Sequence, residues 1–101
     1  MAEKTLPEEL LNAREKIDKI DSDLLSLLAE RFALTFRVGE IKAMQSLESF
    51  DPQREAQKIE KLRAQSSGLS LNPDLVEQLF TDIMKEVVKN HQRFKQQKQQ
   101  Q

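Results

Sequence analysis

From about Pro7 to Met44 the chain runs without an interior proline, and Leu10, Leu11, Ile17, Ile20, Leu24, Leu27, Leu28, Leu34, Val38 and Ile41 recur along it every three or four positions. That period is the signature of one long amphipathic helix. At about 1.5 Å of rise per residue it would span on the order of 50 Å, too long for the two shorter helices available in the rest of the sequence to cover. The stripe therefore calls for a second copy of the chain beside it, and a homodimer is the expected assembly. A monomer of 101 residues is also short enough that it would bury only about 60–65% of its unfolded surface, so oligomerisation helps on that count too.

Beyond Met44 the stretch Gln45 to Phe50 breaks the pattern. Asp51-Pro52 then reads as an N-cap followed by a first-turn proline, opening a second helix to about Ala64, with Ser66-Ser67-Gly68 expected to close it. Leu71-Asn72-Pro73 repeats the start signal for a third helix carrying Leu79, Phe80, Ile83, Val87 and Phe94. With two Gly, three Pro and no Trp or Tyr in a chain rich in Leu, Glu, Lys and Gln, the fold class is all-α: one long and two shorter helices in one domain, residues 1–94. Lys95 to Gln101 is nearly all Lys and Gln, with nothing to bury, and is expected to be a disordered tail.

Several function classes drop out on composition. A formal net charge of −1 with both signs interspersed provides no field for nucleic acid or an anionic membrane, so neither is an expected partner. No Cys and a single His argue against thiol chemistry and a transition-metal site, and no cofactor is expected. A charged start and the lack of a long apolar run make the cytoplasm the expected location.

The informative residues are the charged ones placed where a core residue belongs. At about 100° per residue, Arg31 and Lys42 share the direction of the first helix's apolar stripe to within about 20°. Their Cα atoms would lie roughly 16 Å apart along the axis, a spacing from which two long side chains could grip opposite ends of a small dianion. Snorkelling to the rim or pairing with acids is the plain structural alternative. Arg14 sits about 25 Å up the helix from Arg31 and could join only a partner chain's site, as an antiparallel pair of long helices would allow. In the second helix Glu55 opens the apolar face that Ile59 and Leu62 continue, and a buried acid needs a partner. Asp51 is explained as a cap, and Arg54 stands beside it. On the third helix His91, four residues after Val87 and three before Phe94, falls on the inward face.

These residues, in this order, resemble the all-helical type II chorismate mutase family of bacteria, over about Leu10 to Gln92. The segments that carry the resemblance are Ala13-Arg14-Glu15-Lys16-Ile17-Asp18, Leu27-Leu28-Ala29-Glu30-Arg31, Val38-Gly39-Glu40-Ile41-Lys42 and Asp51-Pro52-Gln53-Arg54-Glu55. The resemblance implies an intertwined dimer in which Arg31 and the partner chain's Arg14 bind the two carboxylates of chorismate. It also implies that Lys42 faces the ether oxygen, that Glu55 with Asp51 holds the ring hydroxyl, and that Arg54 belongs to the same cluster. Where members often carry Ser and Gln on the last helix this chain has Val87 and His91, so His91 is the candidate to replace that Gln as a donor to the ether oxygen.

The alternatives on the same fold are an isochorismate pyruvate lyase, disfavoured by Glu55, and a weakly active mutase that docks on another enzyme of the shikimate pathway, the candidate protein partner. A coiled-coil adaptor would gain nothing from burying Arg31 and Lys42.

Overall fold

The computed structural model describes residues 5–48 and 50–99, with side chains as far as Arg93. Its elements are three helices, α1 (Glu8–Met44), α2 (Pro52–Gly68) and α3 (Pro73–Gln99). The long first helix and the all-α class match the expectation from periodicity. By internal packing the chain divides into two units, Met1–Ala33 and Leu34–Gln101. No helix among the described residues is long and apolar enough to cross a membrane.

The first unit is the N-terminal run of α1. Glu8 and Glu9 place negative charge in its first turn, where the helix dipole favours it. Lys19 and Asp23 add an exposed i,i+4 ion pair at 3.5 Å. The apolar stripe is uncovered: Ile17, Ile20, Leu24 and Leu27 are 54%, 57%, 58% and 61% exposed. A lone helix has nothing to lay its apolar face against, and this unit contains no other element.

In the second unit α2 and α3 pack on each other, joined by the short link 69–72, a length that favours antiparallel neighbours. Ile59 and Leu62 of α2 and Val76, Phe80, Ile83 and Val87 of α3 are half-buried, whereas Leu79 stays exposed. Arg63 of α2 ties the pair together across the surface, its Nη1 lying 2.9 Å from Asp74 and 3.2 Å from Glu77 at the start of α3. The hydrogen bond to Asp74, reinforced by the charges of Asp74 and Glu77 and opposed by desolvation, raises the guanidinium above its ordinary value. The C-terminal part of α1 joins this unit through His91 of α3, whose Nε2 lies 2.8 Å from the Thr35 carbonyl oxygen. Among the described residues no apolar side chain is fully buried; the buried side chains are the polar Ser66 and His91.

Both interior helix starts fall where Asp-Pro and Asn-Pro put them. Asp51 Oδ1 accepts from the Arg54 N–H at 3.1 Å, and Asn72 Oδ1 accepts from the Asp74 N–H at 3.0 Å. The stop of α2 differs from the expectation near Ala64. Ser66, 2% exposed, donates its hydroxyl to the Leu62 carbonyl at 2.6 Å, so its polar group is satisfied inside the helix instead of ending it. Gly68 remains helical, and the true stop is Ser70 at φ 57°, with the Leu71 N–H returning to the Ser66 carbonyl at 3.0 Å. The end of α1 is built the same way. Ser46 has φ 57°, the Leu47 N–H donates to the Lys42 carbonyl at 2.7 Å and the Ser46 N–H to that of Ala43 at 3.3 Å, the paired bonds of a Schellman motif. The backbone of α3 is helical as far as Gln99, past the Lys95 at which the sequence placed the start of a disordered tail; Lys and Gln are good helix formers.

A left-handed conformation costs a side-chain-bearing residue about 1 kcal/mol that glycine avoids. Ser46→Gly and Ser70→Gly should each raise stability by about that amount, and nearly additively, because the two turns share no partners. Urea unfolding checks this through an upward shift of the midpoint at unchanged slope; an unmoved midpoint would mean these turns carry no strain.

Candidate active site

The candidate residues divide between the two units. Arg14 and Arg31 both lie on the first, at opposite ends of its helical run. Arg14 is exposed and makes no ion pair among the described residues, while Arg31 is half-buried. Their separation along the helix axis is on the order of 25 Å, so within one chain they do not share a site.

The remaining candidates belong to the second unit. Lys42 lies in the last turn of α1, where a cation is favoured by the helix dipole. It is half-buried, and its ammonium forms no ion pair among the described residues. Asp51, Arg54 and Glu55 come together at the mouth of α2, as their spacing implied. The Asp51 carboxylate accepts from the Arg54 N–H, and its carbonyl accepts from the Glu55 N–H at 3.0 Å. The cap accounts fully for Asp51. Arg54 is exposed. Glu55 is half-buried on an open groove of about 490 Å³ lined by Phe50, Pro52, Ala56, Ile59, Glu60 and Arg63. Its carboxylate has no hydrogen bond or ion pair among the described residues, and it faces largely apolar neighbours. On α3 Val87 is half-buried. His91, 7% exposed, points inward as its position on the helix required. Among the described residues no hydrogen bond or ion pair links Lys42, Glu55 and His91 to one another.

Among the described residues the half-buried Lys42 ammonium at one helix end and the half-buried Glu55 carboxylate at another helix mouth have no charged partner, and groups so placed favour a polar ligand. The model of the family described as chorismate mutase type II matches residues 13–92. The chain belongs to that family. Among curated relatives it is similar to the T-protein of Enterobacter agglomerans, 38% identical over 78 residues, which are 77% of this chain and 21% of that protein. It is also similar to the bifunctional chorismate mutase/prephenate dehydratase of Aquifex aeolicus, 46% identical over 55 residues, 54% of this chain and 15% of that protein. The chorismate mutase of Methanocaldococcus jannaschii is 41% identical over 56 residues, 55% of this chain and 57% of that protein. The chain thus spans about a fifth of the length of the T-protein it matches.

For this chorismate mutase type II chain, periodicity found the candidates but missed what holds His91. Its Nε2 meets the Thr35 carbonyl, and its ring lies over Gly39, where an added Cβ would stand 2.5 Å from Cδ2. A lone glycine in mid-helix is a packing signal that could have drawn attention to this position. The Arg63 link to Asp74 and Glu77 was missed as well, since nothing in the spacing of those residues marks a pair across two helices.

Because the Asp51 carboxylate acts as the cap of α2, Asp51→Asn should hold stability within a few tenths of a kcal/mol, and Asp51→Ala should cost about 1 kcal/mol. Thermal or urea unfolding of the two variants side by side tests the assignment. Equal losses would mean that the charge, not the cap, is what counts.

Proposed function

We propose that this chain, as a homodimer, rearranges chorismate to prephenate, a step toward phenylalanine and tyrosine, in the cytoplasm and without a cofactor. The observation that carries the reading is the family match over residues 13–92, which takes in every candidate from Arg14 to His91. The exposed stripe on the first unit supports the dimer, because a helix with that face needs a covering surface.

The chemistry suits the residues. The Claisen rearrangement is intramolecular: one carbon–oxygen bond breaks as a carbon–carbon bond forms, with no nucleophile and no net proton transfer. A catalyst can therefore contribute by holding the compact chair-like conformer and by stabilising the charge that develops as the ether bond breaks. In this reading Arg31 of one chain and Arg14 of the other bind the two carboxylates and fix the conformer, while Arg54 belongs to the cluster with Asp51 and Glu55. Glu55, with Asp51 next to it, accepts from the ring hydroxyl, and Val87 packs against the substrate. Lys42 faces the ether oxygen. Negative charge grows there in the transition state, so a fixed ammonium in a dry site gains more in the transition state than in the ground state. Relatives that join a chorismate mutase to a prephenate dehydratase suggest a neighbouring pathway enzyme as the partner that would take the product.

Lys42→Ala should lower turnover of chorismate at least about a hundredfold, equivalent to roughly 2.7 kcal/mol of transition-state stabilisation. Loss of chorismate absorbance with the purified protein measures it. Consumption of isochorismate in place of chorismate would make the protein a lyase, and no turnover of either would point to an obligatory partner.

If each site draws Arg14 from the other chain, Arg14→Ala and Lys42→Ala should each be nearly inactive alone. Unfolding and refolding them together in equal amounts should then restore about a quarter of wild-type activity, since half the dimers are mixed and each mixed dimer has one intact site. Failure to complement would mean that each site takes its Arg14 and its Lys42 from one and the same chain.

A further inference from the structure

His91 is held by a contact that only a glycine permits. Its Nε2 lies 2.8 Å from the Thr35 carbonyl oxygen, the oxygen that in an α-helix also accepts from the N–H four residues on, that of Gly39. A Cβ added at Gly39 would stand 2.5 Å from His91 Cδ2 and 2.7 Å from Nε2. The ring thus occupies the volume that any side chain at residue 39 would fill, and reaches the carbonyl through it. Since a carbonyl can only accept, Nε2 carries the proton. The neutral ring is then left with Nδ1 as an acceptor, and Nδ1 is buried with no hydrogen-bond partner among the described residues. In this arrangement the neutral ring has no second N–H to offer a substrate oxygen.

We propose that His91 is a positioning residue: its ring clamps α1 at Gly39 and thereby fixes the direction in which the Lys42 ammonium projects. Gly39 and Lys42 stand three residues apart on one helix and so share a face. Thr35, Gly39 and Lys42 form one row along it, and the imidazole grips that row one turn before the cation. The proposal rests on the rearrangement put forward above and deepens it. His91 stands where a direct donor to the ether oxygen was expected, yet its Nε2 proton is committed to the backbone, and it serves the reaction through Lys42. Misplacing a catalytic group by about 1 Å is worth up to about a hundredfold in rate, so a clamp of this kind has a measurable effect without touching the substrate.

The test is a cycle of Gly39→Ala, His91→Ala and the double variant, with His91→Gln as the conservative replacement whose amide can still donate to the Thr35 carbonyl. Gly39→Ala should force the ring aside and lower kcat by roughly ten- to a hundredfold, with KM within about twofold, because ground-state binding of the carboxylates is untouched. His91→Gln should recover most of what His91→Ala loses. In the double variant the ring is gone and the methyl has room, so kcat and Tm should be no lower than in His91→Ala alone. Nitrogen-15 spectra of the imidazole in the unliganded protein should show Nε2 protonated and Nδ1 bare.

Losses that multiply in the double variant overturn the proposal. So does a protonated Nδ1, or a wild-type kcat in Gly39→Ala beside a His91→Ala loss as deep as that of Lys42→Ala; the last would make His91 a direct donor. If the wild type leaves chorismate unchanged, the proposed reaction fails on its own, while the tautomer and the Tm cycle still decide whether the clamp exists.

Discussion

An amphipathic helix keeps its form in water chiefly because its apolar face is covered, and α1 carries such a face over Ile17, Ile20, Leu24 and Leu27 with more than half of each side chain open to solvent. Burial at about 25 cal/mol for each square ångström is the dominant favourable term in folding, and the described part of this chain has no fully buried apolar side chain to supply it. What packing there is lies in the second unit, where α2 and α3 lean on each other through half-buried side chains and the Arg63 cluster, and α3 meets the end of α1 through one buried imidazole. The proposed dimer answers that deficit. It would also explain why the binding groups are dispersed: a site whose cations come from two copies need not be assembled within either one.

The placement of the charged residues follows from the reaction proposed for them. Ordinary enzymes carry a nucleophile or a proton shuttle, recognisable by a triad or a strongly perturbed pair. A unimolecular rearrangement requires neither, and the residues offered here are two half-buried cations on α1, Arg31 and Lys42, and an acid, Glu55, beside an apolar groove. Charged groups are costly to keep out of water. Holding them in place before the substrate arrives is what lets them act on developing charge without reorganising.

Much of the fold was legible because its signals are local. The period of three and four fixed α1 to within a residue of its observed start, and the Asp-Pro and Asn-Pro pairs located the next two starts, since a cap and a proline act on their own turn. The stop of α2 was not legible. Ser66-Ser67-Gly68 looks like punctuation, but the outcome turned on whether Ser66 would be buried and on which later residue would take the left-handed conformation, and both depend on packing. The inward placement of the candidates was legible by residue type and face, as Lys42, Glu55 and His91 all lie half-buried or buried. What His91 does with its proton was not, because the answer is the carbonyl of a residue 56 positions earlier in the chain. Likewise the dispersal of Arg14 and Arg31 reads from spacing, whereas any partner surface that reunites them does not.

The overlap of the His91 ring with the missing side chain of Gly39 also bears on how such a sequence can change over time. A side chain arriving at residue 39 first would collide with the ring, and a smaller residue arriving first at 91 would leave a hollow against a bare backbone. Each single step is uphill, while the pair of steps is nearly level. Descendants of this chain are thus expected to alter the two positions together or not at all, so that one helix carries an inherited memory of the residue that sits on the other.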